Sequence, residues 1–213
     1  MSSPLQELFD RLRDGINSLR QKLDFNRDHY YLTAECEPVL SVLKPGIAWT
    51  VKGRYGETLV TRNLGIWDVD FVTASSDISW LRDVLGEITE SYRFRVYQTL
   101  GGLRVICTNR TVAYDDAISM AWFKELGEKL CADHRYMAIS NRQLCSRARL
   151  APKPTEHRWR FDGPIVELAK NGQVRACRFI GEVGTGEIHP DLAQQIELHD
   201  RSTEALDSTK ELF

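Results

Sequence analysis

The segment Leu64-Gly65-Ile66-Trp67-Asp68-Val69-Asp70-Phe71-Val72 is followed by one helix-length interval. Then comes Phe94-Arg95-Val96-Tyr97-Gln98-Thr99-Leu100-Gly101-Gly102-Leu103-Arg104-Val105-Ile106. Together these two segments decide the fold. The first is apolar enough to be a strand, and strand side chains alternate faces, so Asp68 and Asp70 point the same way while Val69 turns into the core. In the second, Phe94, Val96 and Gln98 share one face and Arg95, Tyr97 and Thr99 the other. Gly101-Gly102 supplies the permissive backbone of a hairpin bend. Between them Trp80, Leu81, Val84, Leu85 and Ile88 recur at helical spacing, with Ser76-Asp77 as the cap.

Working outward, Pro45-Gly46 marks a turn, and Ile47 to Val51 reads as a strand running into the tight loop Gly53-Arg54-Tyr55-Gly56. Asp115-Asp116 opens a helix reaching about Cys131, where acids favour the helix dipole. Beyond it Ile165–Leu168 and Val174–Ile180 read as strands joined at Asn171-Gly172, Gly181–Gly186 as a flexible loop, and Pro190 as the start of a helix bearing Leu192, Ile196, His199 and Asp200. Helices mixed with hairpins predict an α+β fold, a mainly antiparallel sheet with helices packed on one face. Upstream, Ser3-Pro4-Leu5-Gln6 resembles a capping box. Leu5, Leu8, Phe9, Leu12, Ile16, Leu19 and Leu23 then form an amphipathic stripe that either packs on the chain's own core or docks a protein partner. The expected organisation is an N-terminal helix over 1–24, one α+β domain over 25–200 and a frayed polar tail over 201–213.

The 213 residues are 42% hydrophobic and 27% charged, enough to bury a core, and a formal net charge of -2 gives no global attraction to nucleic acid or anionic membrane. No apolar run approaches the roughly 20 residues of a spanning helix, so a cytoplasmic protein without membrane association is expected. Five cysteines, Cys36, Cys107, Cys131, Cys145 and Cys177, stand singly without a Cys-x-x-Cys pair. That spacing disfavours a disulfide framework and a structural zinc site and predicts reduced core thiols. The Gly181–Gly186 loop lacks the Gly-Lys-Ser/Thr of a P-loop, and there is neither a dinucleotide-binding glycine fingerprint nor a nucleophile elbow.

Three constellations remain. Aspartates are depleted in strands, so Asp68-x-Asp70 needs an explanation. Paired carboxylates there can hold Mg²⁺ or Mn²⁺, which prefer oxygen ligands and bridge substrate phosphates, or they can be an ordinary solvated strand end. The second is the basic run Arg142, Arg147, Arg149, Lys153, Arg158 and Arg160, with His157 and Trp159 inside it. Clustered cations can track a phosphate backbone while an aromatic stacks on a base; the other reading is a solvated face or an Arg network paired to acids. If residues 147–149 form a strand, Arg147 and Arg149 share one side. The third, His199-Asp200 with His189 nearby, fits helix-terminal capping better than a metal site, because no further ligands are grouped with it.

The order of acidic strand, one helix and a strand ending in a Gly-Gly bend resembles the archaeo-eukaryotic primase and primase-polymerase superfamily. The matching positions are Asp68, Val69 and Asp70, then Thr99, Gly101, Gly102 and Arg104, within residues 47–108. Arg104 stands where that family's nucleotide-contacting histidine is expected, and no third acidic strand motif follows. The chain also resembles an uncharacterised group of bacterial proteins through Gly53–Tyr55, Asp68–Phe71, Tyr97–Arg104, Arg147–Pro154 and His199-Asp200.

The resemblance implies a primase-like (RRM-like) core that handles nucleic acid or a nucleoside triphosphate. In it Asp68 and Asp70 hold the divalent ion, Arg104 contacts a phosphate, and Arg54, Thr99, Arg147, Arg149 and Lys153 line the phosphate path. Two functions follow: metal-dependent phosphoryl or nucleotidyl transfer, or a non-catalytic nucleic-acid-binding or adaptor protein using the Arg-rich segment and residues 4–23.

Overall fold

A computed structural model describes residues 37–53, 56–70, 78–152 and 172–212. The N-terminal stripe, Arg54, Ser76-Asp77, Lys153 and the strand expected at Ile165–Leu168 lie outside the described residues. The described residues form two four-stranded antiparallel sheets and five helices. The first sheet has the order β1 (Val39–Lys44), β2 (Ala48–Gly53), β3 (Gly56–Thr61), β7 (Ser146–Arg149). The Pro45-Gly46 turn closes its first hairpin, Ile47 N donating to the Lys44 carbonyl at 3.0 Å.

The second sheet has the order β4 (Leu64–Asp70), β6 (Gly102–Thr111), β5 (Arg93–Thr99), β9 (Cys177–Gly184). A small parallel pair joins β8 (Val174–Arg175) to β10 (Glu211–Leu212). Among the described residues no helix is long and apolar enough to cross a membrane.

The register brings the two decisive segments face to face. Asp68 pairs with Arg104 and Asp70 with Gly102 across β4 and β6. A Cβ on Gly102 would run into the Val69 carbonyl oxygen, so glycine there permits the close approach of the two strands. One face of this sheet contributes Trp67, Val69, Phe94, Val96, Leu103 and Val105 to an apolar core. It is covered by α1 (Ser79–Leu85), α2 (Ile88–Ser91) and α3 (Ala117–Lys129). Leu81 and Leu85 face inward, whereas Val84, expected in the same stripe, is exposed. Asp116, expected in the first turn of α3, instead precedes it as the N-cap, accepting from Ser119 N at 2.7 Å.

The α+β class and antiparallel sheets match the sequence expectation, but the helices do not all lie on one face. Helix α5 (Pro190–Thr203) covers the opposite face, its Leu192 and Ile196 packing with Ile66, Ile106 and Tyr97 of the sheet and with Leu59 and Ala148 of the first sheet. The physical reason is that both faces of β4, β5 and β6 are apolar in part, so one layer of helices leaves Ile66 and Ile106 bare. Helix α4 (His134–Gln143), capped by Asp133, sits within the Arg-rich region, where the cation pattern masked its periodicity.

Two loop expectations are also corrected. Residues 181–184 complete β9, paired to β5 through Gly181–Val96 and Gly184–Arg93, with a register shift between Val96 and Tyr97 taking up the irregularity. Residues 201–212 are not frayed: Thr203 and Ala205 are buried, and Ala176 N and Phe179 N donate to their carbonyl oxygens. The sheet edge needs those acceptors, which hold the tail down.

Candidate functional site

The α5 face of the second sheet concentrates the chemistry-bearing residues. Strand parity puts Asp68 on β4, Arg104 on β6 and Arg95 and Tyr97 on β5 on the same face as Ile66 and Ile106. Arg104 is only 5% exposed. Its Nε donates to Asp68 Oδ1 at 2.8 Å, its Nη2 to Asp68 Oδ2 at 3.3 Å and its Nη1 to the Arg149 carbonyl at 3.2 Å. Burial opposes the guanidinium charge, but Asp68 beside it outweighs that and holds Arg104 firmly protonated.

The ladder continues across the sheet. Arg104 Nη1 lies 3.3 Å from His199 Nε2, and His199 Nδ1 lies 3.4 Å from Asp200 Oδ1. Asp200 accepts from the Tyr97 hydroxyl at 2.6 Å and from Arg95 Nη1 at 2.6 Å. Arg95 Nε is 3.5 Å from Glu182, which also accepts from Arg93 Nε at 3.0 Å. The Arg95 guanidinium lies over the Phe179 ring at 4.5 Å. Cys177 Sγ sits 4.0 Å from His199 Nε2, and both residues are fully buried.

The charges set the protonation preferences of this row. Burial pushes the Cys177 thiol up, but the charge and hydrogen bond of His199, with Arg104 and Thr203, outweigh it and bring the thiol below its ordinary value. Burial likewise opposes charge on His199, yet the Cys177 charge and the hydrogen bonds to Asp200 and Cys177 raise it. Nε2 therefore faces two groups. With a neutral thiol it accepts from Arg104; with a thiolate it carries the proton and donates to sulfur, leaving Arg104 to the Arg149 carbonyl.

The chain matches no family model, no curated protein and no solved structure. Function must therefore be argued from the residues themselves.

The expected ion site does not fit a divalent cation as its side chains are arranged. Both Asp68 oxygens accept from Arg104, and a guanidinium at 2.8 Å opposes a second positive charge. Asp70 is exposed at the strand end, beside the Gly101 bend. Among the described residues no three His, Cys, Asp or Glu side chains converge as ion ligands would. Arg104, expected to touch a phosphate, instead spends its donors inside the protein, because its strand faces α5 rather than solvent. Thr99 is half-buried at the end of β5, paired with Gly102 and Cys177.

Arg147 and Arg149 do form strand β7 and share one side, opposite buried Ala148. That side carries the buried cluster of Trp49, Val51, Val60 and Cys145. Arg147 pairs with Val60, which packs with Trp49 and Val51, whereas Ala148 pairs with Leu59 toward the second sheet. The two arginines are thus separated from Asp68 and Arg104 by the thickness of a sheet. Arg147 is ion-paired with Glu37, Arg149 Nε donates to the Ala151 carbonyl at 3.1 Å, and Arg62 lies over the Trp49 ring at 5.4 Å.

His199-Asp200 proves to be the centre of the buried row rather than a helix-end cap. One signal for this lay in the sequence: Leu192, Ile196 and His199 fall at i, i+4 and i+7, which puts His199 on the buried stripe of its own helix. Nothing in the sequence announced its meeting with Cys177, which is a matter of tertiary packing.

Proposed function

We propose that this chain is a nucleic-acid- or nucleotide-binding protein on a primase-polymerase-like core, acting by binding rather than by metal-dependent transfer. The observation that carries the reading is the grouping of guanidinium groups on one face of the first sheet, Arg62, Arg147 and Arg149. Guanidinium groups suit phosphate oxygens, whereas Trp49 beneath Arg62 belongs to the core. Glu37, the acid now paired with Arg147, is what an incoming phosphate displaces. The facing of Asp68 with Arg104 and of Asp70 with Gly102 supports a primase-like ancestry for the strand, helix and hairpin unit. The bidentate Asp68–Arg104 pair supports binding over transfer, since it occupies the carboxylate that an Mg²⁺ or Mn²⁺ ion needs. Thiols at Cys107, Cys131 and Cys177 outside any disulfide suit the reducing cytoplasm. Residues 4–23 serve a protein partner in the same reading.

Titration of labelled single-stranded DNA, single-stranded RNA and a nucleoside triphosphate tests this. Arg147→Ala with Arg149→Ala should weaken binding about tenfold or more and reduce the salt slope by roughly one to one and a half, as expected for two phosphate contacts on a single strand. Asp68→Asn with Asp70→Asn should leave binding independent of Mg²⁺ and Mn²⁺. Unaltered binding in the arginine variant removes this face from the account. A metal-dependent signal lost in the aspartate variant restores the transfer reading.

A further inference from the structure

Among the described residues Cys107, Cys145 and Cys177 are buried, and Cys177 has a histidine against it. Cys107 lies in the apolar core, where burial pushes its thiol up to about 11. Cys145 lies with Trp49, Val51 and Val60 on the first sheet. Cys177 opens strand β9 with its sulfur 4.0 Å from His199 Nε2. His199 is oriented in turn by Asp200, and Asp200 by Tyr97 and Arg95. A nucleophile, a base beside it and a group that orients the base make up the arrangement that activates thiols. Arg104 adds a fixed positive charge on the same side, which favours a thiolate.

The site is closed to bulky reagents, since Cys177 and His199 have no exposed surface. A cleft of about 380 Å³ beside the end of α5 is lined by Asp200, next in the chain to His199, with Glu204 and Leu206, and an approach from it passes Asp200. A reagent not much larger than water suits that approach.

We propose that Cys177 is a peroxide-reactive thiol activated by His199, with hydrogen peroxide or a small hydroperoxide as its oxidant. His199 takes the thiol proton. The thiolate sulfur then attacks one peroxide oxygen, an S–O bond forms as the O–O bond breaks, and the departing hydroxide takes the proton held on His199 and leaves as water. Sulfur is oxidised by two electrons to the sulfenic acid and the peroxide is reduced by two. A second thiol condenses with the sulfenic acid to a mixed disulfide with loss of water, and a further thiol exchanges with that disulfide and releases Cys177 as the thiol.

The test uses the full chain, treated with hydrogen peroxide for graded times, trapped with a sulfenic-acid reagent after denaturing quench and read by peptide mass spectrometry. Cys177 should be modified roughly tenfold or more faster than Cys107, whose thiol burial pushes up to about 11, since the thiolate fraction falls about tenfold per pKa unit. A bulky maleimide should label exposed Cys131 and spare Cys177. In His199→Gln, the Cys177 rate should fall to that of Cys107. Equal rates at Cys177 and Cys107 in the unaltered protein overturn the proposal, and that comparison does not depend on any variant folding. A Cys177 rate unchanged in a folded His199→Gln protein overturns the role of His199.

Discussion

The two faces of the β4-β6-β5-β9 sheet solve the same packing problem by opposite means. Under α1 to α3, Trp67, Phe94, Val96, Val105 and Phe123 are completely buried, with the Trp67 and Phe123 rings stacked at 4.9 Å. Under α5, by contrast, the row runs Asp68, Arg104, His199, Asp200, Arg95, Glu182, Arg93, acids and cations alternating about a central histidine. Apolar burial is non-directional and adds stability in proportion to area. Buried ion pairs gain little over an apolar replacement because desolvation offsets the attraction, but they are demanding in geometry. One face is held by apolar area alone, while the other adds to the apolar cluster under Leu192 and Ile196 a row of ion pairs that fixes where α5 sits upon it.

Emptying the apolar face should have the largest effect. Phe123→Ala removes a fully buried ring packed on Trp67 and Tyr114 and should lower stability by about 4 kcal/mol, read as a shift of the urea midpoint. A loss under about 1 kcal/mol would mean that the helical layer is loosely packed and that the contrast between the faces is false.

Breaking the ionic face from one side should come next. Asp68→Asn leaves the buried Arg104 charge against a neutral amide, and should lower stability by about 2 to 3 kcal/mol. Asp68→Leu combined with Arg104→Met should recover most of that, because no uncompensated charge remains. If the double variant is as unstable as the single one, the row contributes stability in its own right.

The two faces were unequally legible in the sequence. The apolar one was written in periodicity: alternation in Phe94 to Thr99 and the helical spacing of Leu81 and Leu85 placed strand and helix without further help. The Asp68-x-Asp70 and Gly101-Gly102 motifs were also legible as neighbours, and the register brings them together. Their meaning was not, because a strand pattern says which residues share a face and not what covers it. Covered by α5, Arg104 turns from a phosphate ligand into an internal donor. Solvation, which separates an ion site from a salt bridge, depends on an element about ninety residues downstream.

The finest distinction between the faces is in their response to pH. Burial pushes the Asp200 carboxyl up, but hydrogen bonds from His199 and Tyr97 and the charge of Arg95 outweigh it and hold the group below its ordinary range. A folded-state pKa below the unfolded value, about 3.9, gives stability that is present above that value and lost as pH falls through the folded one. Tyr97 has the opposite sign: burial and then the Asp200 charge push its phenol far up. The unfolded chain loses that proton near pH 10 while the folded chain keeps it, so this share of stability is intact below about pH 10 and lost above it. Tyr97→Phe should lower stability at neutral pH by about 1 kcal/mol through the lost hydrogen bond and should flatten the alkaline limb. Part of that limb should survive, since buried Tyr114 and Tyr136 are raised in the same direction. Asp200→Asn should flatten the acid limb and leave the alkaline one less steep, because Tyr97 loses the neighbouring negative charge. Thermal unfolding from pH 3 to 11 separates these outcomes. Unchanged limbs in both variants would mean that Asp200 and Tyr97 titrate alike in the folded and unfolded chains, which cannot be so if α5 seals them together.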